Sequence, residues 1–154
     1  MNKSRKQGIA TLPTVIVIGL IALAVVVSIT AMTFDQLLIS QAGAQSSAAL
    51  FYAESGARDA LTRIARNKNY TCSTADCYSV DFAAGGCAAG TSCAKVSVSA
   101  GLGTSADPKI IVSKGLMGSS VRRIQSSVLL DGGTTVTANQ LGQITSVSWS
   151  ELTN

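Results

Sequence analysis

The chain has 154 residues, enough for one compact domain, and its 12 basic and 8 acidic residues give a net charge of only +4. Histidine is absent, which excludes histidine-activated nucleophiles, histidine-ligated metals and imidazole acid–base catalysis. The weak charge does not indicate a nucleic acid partner. We therefore expect a protein that is not an enzyme and holds no metal or cofactor. Charged residues make up 13% of the chain and hydrophobic ones 47%, which indicates a large core or a segment in lipid.

The chain begins with a short basic segment followed by a long apolar run. Lys3, Arg5 and Lys6 precede residues 9–34, which carry no charge. This run is too long for the apolar part of a cleaved signal peptide. As a helix it exceeds the ~30 Å hydrocarbon core of a bilayer. We predict one membrane-spanning helix, with the N-terminus in the cytoplasm and everything from Asp35 onward exported, because the basic residues lie on the N-terminal side.

The helical pattern continues beyond the apolar run. Residues 40–67 contain no proline, and the pairs Glu54–Arg58 and Asp59–Arg63 have the acid-first, i to i+4 order that supports an exposed helix. We predict a single helix from Ile9 to about Arg66, with residues 9–34 in the membrane and 35–67 outside it.

Small residues recur along one face of the exported half of this helix. They are Ala42, Ala49, Ala53, Gly56 and Ala60. Small side chains allow two helices to approach closely, so we predict that Ala42, Ala49, Ala53 and Gly56 contact helices of neighbouring subunits. The alternative is that this face seats the helix on the chain's own sheet.

Four cysteines follow the helix in a segment rich in small residues, residues 68–94. Cys72, Cys77, Cys87 and Cys93 lie on the predicted exported side, where an even number of cysteines indicates disulfides. Their spacing leaves three possible pairings. A four-thiolate zinc site is the alternative, but its usual C-x2-C pairs are missing.

The last part, residues 95–154, changes to the alternating pattern of strands. We predict strands at 94–99, 109–114, 121–130 and 144–150, and a weaker one at 134–138, in an antiparallel sheet. In the third strand Ile124, Ser126 and Val128 would share the face toward the helix. Trp149 is predicted to fill the core or the sheet edge.

Three features together resemble the type IV pilin-like proteins, and among them the PilX-type minor pilins. They are the leader MNKSRKQG followed by Ile9-Ala10-Thr11-Leu12, the apolar run, and the helix phrase AALFYAESGARDAL. The resemblance implies cleavage between Gly8 and Ile9 by a prepilin peptidase, which removes residues 1–8, and N-methylation of Ile9. The family usually has glutamate at the fifth mature position, where this chain has Pro13.

The fold implied is α+β and pilin-like, with a long N-terminal helix packed on a small antiparallel sheet and a disulfide-stapled connecting loop. The function implied is that of a structural subunit of a type IV pilus, acting in assembly, initiation or surface contact. The expected partners are other pilin subunits, the assembly machinery, the peptidase and, before assembly, lipid of the bacterial cytoplasmic membrane. Two alternatives are a type II secretion pseudopilin and a signal-anchored exported binding protein that does not polymerise.

Overall fold

The computed structural model describes residues 11–89, 91–131 and 142–153. Five strands follow one long helix. They are α1 (Thr11–Arg66), β1 (Tyr78–Asp81), β2 (Cys93–Val98), β3 (Lys109–Met117), β4 (Ser120–Leu130) and β5 (Ile144–Leu152). The fold is therefore α+β, as predicted. The chain divides into two units, the first ending at Gln41 and the second beginning at Ala42. They are described separately below.

The first unit contains the apolar part of α1. Its large aliphatic and aromatic side chains between Val15 and Ile39 are 52% to 72% exposed. Helix α1 is long and apolar enough to cross a membrane, because an uncharged run of this length can satisfy its backbone hydrogen bonds internally in lipid.

The second unit holds the sheet, which is antiparallel throughout in the order β1-β2-β3-β4-β5. Each strand therefore pairs with its neighbour in sequence. The β3–β4 turn is short: Met117 pairs with Ser120, and Gly118 has φ 59°, a left-handed conformation that glycine adopts without a steric penalty.

The core of the second unit lies between the sheet and residues 49–64 of α1. Alternate residues of β4 are buried, namely Ile124, Ser126, Val128 and Leu130, which confirms the predicted face. They pack with buried residues of the helix and of β2 and β3, which are Ala53, Ala57, Ala60, Ile64, Ala94, Val96, Val98 and Ile111. Period-2 strands and one helix face thus form a single apolar layer.

Two glycines set how closely the helix approaches the sheet. A Cβ atom added to Gly56 would lie 2.7 Å from Ala94 Cβ, 2.7 Å from Ser113 Oγ and 2.9 Å from a Val96 methyl. A Cβ added to Gly115 on β3 would collide with the backbone of Ala49 and Ala53. At Gly115 the helix backbone therefore lies directly against the strand, and at Gly56 the side chains of β2 and β3 lie directly against the helix.

The structure differs from the sequence prediction in three places. Strand β1 lies within residues 68–94, which we predicted to be a loop, because four alternating residues are too few to give a clear strand signal. Strands β3 and β5 extend further than predicted, to Met117 and Leu152. Asp59 and Arg63 form an ion pair of 2.7 Å, whereas Glu54 and Arg58 form none in the described structure. The predicted strand 134–138 lies outside the described residues.

The glycine contact gives a paired prediction. We expect Gly56→Ala to destabilise the fold by about 1–3 kcal/mol, because the added methyl group overpacks a site with no free space. Gly43→Ala makes the same change on the same helix, at a position where an added Cβ meets nothing within 4 Å. It should stabilise the helix by up to about 1 kcal/mol. Thermal unfolding of the full chain in detergent, followed by circular dichroism, measures both effects. Equal shifts in both variants would contradict the close contact.

Candidate assembly and binding surfaces

The predicted leader and the predicted processing junction lie outside the described residues. This applies to Lys3, Arg5, Lys6, Gly8 and Ile9. Pro13 lies within α1 and is exposed. The predicted role of Gly8 and Ile9 therefore stays a prediction.

The small-residue face of α1 is divided between two environments. Ala49 and Ala53 are fully buried and Gly56 is buried, all against the chain's own sheet, whereas Ala42 is exposed. For Ala49, Ala53 and Gly56 the structure corrects the expected contact with neighbouring helices, because the sheet occupies that face. These three residues fit the alternative prediction, in which the small-residue face packs the helix on the chain's own sheet. Ala42 remains available for a contact between helices.

The four cysteines form two disulfides, as predicted, with pairings that the spacing had left open. Cys72 pairs with Cys77, and Cys87 pairs with Cys93. Cys72 also exchanges two backbone hydrogen bonds with Val98, of 2.9 Å and 2.8 Å, which hold the first loop against β2. Both pairs link residues close in the chain, so they shape local loops rather than join distant elements.

The second disulfide loop is further held by the strand and the helix beside it. The Cys87 backbone N–H donates to the Asp81 carboxylate at 2.9 Å. The Phe82 ring stacks on Tyr52 of α1 with centroids 4.7 Å apart. The sulfur atoms of Cys87 and Cys93 lie near the Asp81 carboxylate, but in a disulfide they are not the thiolates that bind metals.

A charged and aromatic cluster joins the end of α1 to β1. The Arg63 guanidinium lies 4.3 Å from the centroid of the Tyr78 ring, a cation–π geometry, and Asp59 holds it through their ion pair. Burial raises the pKa of the Tyr78 hydroxyl, and the Asp59 carboxylate raises this pKa further, against the opposing effect of Arg63. The cluster therefore favours the neutral, protonated form of the Tyr78 hydroxyl.

An open groove of about 360 Å³ lies between α1 and the edge strand β5. It is lined by Leu50, Glu54, Arg58, Ile124, Trp149, Ser150 and Glu151. Trp149 is 46% exposed, although it pairs with buried Ser126 and so lies on the helix side of the sheet. An amphipathic aromatic ring beside charged groups in a concave site is typical of binding surfaces.

One wall of the groove is fixed by an ion pair. The Arg122 guanidinium on β4 lies 2.5 Å from the Glu151 carboxylate and donates a 3.3 Å hydrogen bond to the Ser46 hydroxyl on α1. Arg122 thus links the helix to the two outermost strands on this side. Glu54 and Arg58 form no ion pair in the described structure, so their two charged groups do not bind each other.

Sequence reasoning missed the charged part of this groove. Trp149 was predicted to fill the core or the edge, and it lies at the edge. The alternation of β5 could have shown that Glu151 shares a face with Trp149, but the extent of β5 was underestimated. The approach of Glu54 and Arg58 to Trp149 depends on the helix–sheet contact, and no local sequence pattern indicates it.

Comparison of the chain with models of protein families, with curated proteins and with solved structures finds no match.

The Tyr78 cluster predicts a loss of stability at alkaline pH. Because the folded state favours the neutral hydroxyl, the contribution of Tyr78 is complete below the pKa of an unfolded tyrosine, about 10. It is lost as the pH rises toward the raised pKa of the folded state. We expect the unfolding temperature to fall more steeply above about pH 10 in the wild type than in Tyr78→Phe.

Tyr52→Phe is the matched control, because it removes a hydroxyl from the ring that stacks on Phe82 and leaves the Arg63 cluster intact. It should follow the wild-type pH profile. Identical alkaline profiles for the wild type and Tyr78→Phe would contradict this account of the cluster.

Proposed function

We propose that the chain is a non-catalytic, pilin-like structural subunit, of the minor pilin kind, in a type IV pilus. The observation that carries the proposal is the division of helix α1. Its first part exposes large aliphatic and aromatic side chains between Val15 and Ile39, and its second part is buried on an antiparallel sheet braced by disulfides. One such helix can serve both as a membrane anchor and as the stem of an exported domain.

The exposed apolar part of α1 must stay covered throughout the proposed assembly mechanism. An apolar surface of this extent needs a cover of lipid or of other apolar protein. Before assembly, lipid of the bacterial cytoplasmic membrane provides it. On extraction by the assembly machinery, the corresponding helices of other subunits replace the lipid, since transfer into water is unfavourable. Assembly and membrane extraction are therefore coupled.

Processing of the leader prepares the chain for this step. A prepilin peptidase cuts after Gly8, which removes the charges of Lys3, Arg5 and Lys6 from the end of the apolar helix. These charges resist passage through the hydrocarbon region. The new terminus at Ile9 is then N-methylated. With Pro13 in place of the family's usual glutamate, the subunit lacks one acidic partner for a neighbouring terminus, which suits a tip or initiating position.

The sheet side of the second unit would then face outward in the filament. The Trp149 groove lies beside β5, the last strand of the described sheet, where it can contact another subunit or an external surface. The same groove favours a second candidate function, an anchored exported protein that binds a ligand without polymerising. A type II secretion pseudopilin shares every feature named here and differs in the machinery it joins.

The proposal predicts where the chain is found in its native cells. The wild-type chain should appear in filaments sheared from the cell surface, detected with an antibody to the exported domain. Gly8→Val should stay in the membrane fraction, because the peptidase junction is blocked and the charged leader is retained. Asn2→Ala is the control, since it changes the leader without altering its charges or the junction.

Two results would contradict the proposal. One is a stable wild-type chain that is confined to the membrane, which would favour the anchored binding protein. The other is a Gly8→Val chain that enters sheared filaments as well as the wild type does.

A further inference from the structure

Two charged side chains are buried among the described residues, and both belong to lysines. Lys68 is 6% exposed and Lys109 is 1% exposed. Lys68 follows the end of α1, and Lys109 is the first residue of β3, on the face that is turned toward the core. Lysine is almost never fully buried unless its charge is paired.

Among the described residues, neither ammonium group has a carboxylate partner. Lys68 Nζ donates to the carbonyl oxygen of Asp131 at 3.0 Å, and Lys109 Nζ donates to the carbonyl oxygen of Tyr70 at 3.1 Å. All eight acidic residues of the chain lie in the described ranges, and their ion pairs are with other basic residues. Each ammonium has three N–H donors, so most of this donor capacity has no acceptor among the described residues.

The surroundings compensate only part of this positive charge. The C-terminal end of α1 contributes roughly half a negative charge near Lys68. Asp107 raises the pKa of Lys109, but burial acts more strongly and the net pKa is lowered. The Asp107 carboxylate is also engaged by the Leu102 backbone N–H at 3.0 Å. The helix end and Asp107 thus compensate the two buried cations only in part.

Both lysines line the same pocket, which we call the lysine pocket. Its volume is about 160 Å³, and its other lining residues are Asn69, Thr71 and residues 100–102. Thr71, Ala100 and Leu102 are exposed, so the pocket opens at the surface beside them. The volume is several times the ~30 Å³ of a water molecule and below the roughly 300 Å³ at which pockets for larger ligands begin.

We propose that the lysine pocket binds a small oxyanion of the phosphate class, either free or as the terminal phosphate of a larger ligand. Lysine binds phosphate as a compact point charge with several donors. Two such charges at one pocket, without a carboxylate between them, would be neutralised by one doubly charged oxyanion. The pocket accommodates the phosphate group itself, and a substituent would extend past Thr71 and Leu102 into solvent.

The test is a titration of the full chain in detergent with inorganic phosphate, at an ionic strength held constant with sodium chloride. We expect a saturable rise in the unfolding temperature, because a ligand that binds only the folded state stabilises it. Isothermal calorimetry on the same sample should give a matching dissociation constant. Phosphate also stabilises proteins in general by exclusion from their surfaces, so variants must separate the two effects.

Lys68→Met and Lys109→Met each keep the apolar stem and remove one charge. Each should weaken phosphate binding at least about tenfold and raise the unfolding temperature measured without phosphate, because an uncompensated buried charge is gone. Lys114→Met, on the other face of β3, is the matched control and should keep the wild-type phosphate response. Using two single variants keeps the test valid if one of them fails to fold.

Glycerol 3-phosphate distinguishes the two sources of the anion. Binding as tight as that of inorganic phosphate would indicate a terminal phosphate group on a larger ligand, and weaker binding would indicate the free ion. Either result supports an oxyanion pocket. The proposal is overturned if the wild type shows no saturable phosphate binding, or if both lysine variants respond to phosphate as the wild type does.

Discussion

The contact between the backbone of α1 and the sheet is the constraint on which the second unit depends. Gly56 faces Ala94 and Val96 of β2, and Gly115 of β3 faces the helix backbone at Ala49 and Ala53. Because each glycine leaves one of the two layers without a side chain at its contact, the layers lie close together. The helix face around these contacts is built of alanine, whose small side chain fits this close approach. Larger side chains such as Ile64 and Ile111 fill the layer away from it.

The sequence predicted the elements better than it predicted their partners. The uncharged run of residues 9–34 and the absence of proline from residues 40–67 are sufficient to predict α1, and period-2 alternation predicts the buried face of β4. A small-residue face indicates close approach but carries no information about what approaches. For this reason Ala49, Ala53 and Gly56 were assigned to neighbouring helices, although the chain's own sheet covers them. Disulfide pairing and strand β1 were likewise beyond reach, since four cysteines permit three pairings and four alternating residues give no clear strand signal.

The candidate binding sites were the hardest features to foresee. Glu54 and Arg58 read as a helix-stabilising pair, yet in the structure they line a groove with Trp149. Lys68 and Lys109 are 41 positions apart in the sequence, and no local pattern indicates that they approach each other. Only the return of β3 to the end of α1 brings them to one pocket. Both sites form through contacts between residues that are far apart in the sequence, and local composition does not indicate them.

In the proposed filament subunit, assembly depends on processing of the leader, since its charges would otherwise remain at the end of the apolar helix. The most direct test is the intact mass and N-terminal sequence of the chain recovered from its native membrane or from sheared filaments. We predict a chain that begins at N-methylated Ile9. A chain that retains residues 1–8 would contradict the assembly mechanism.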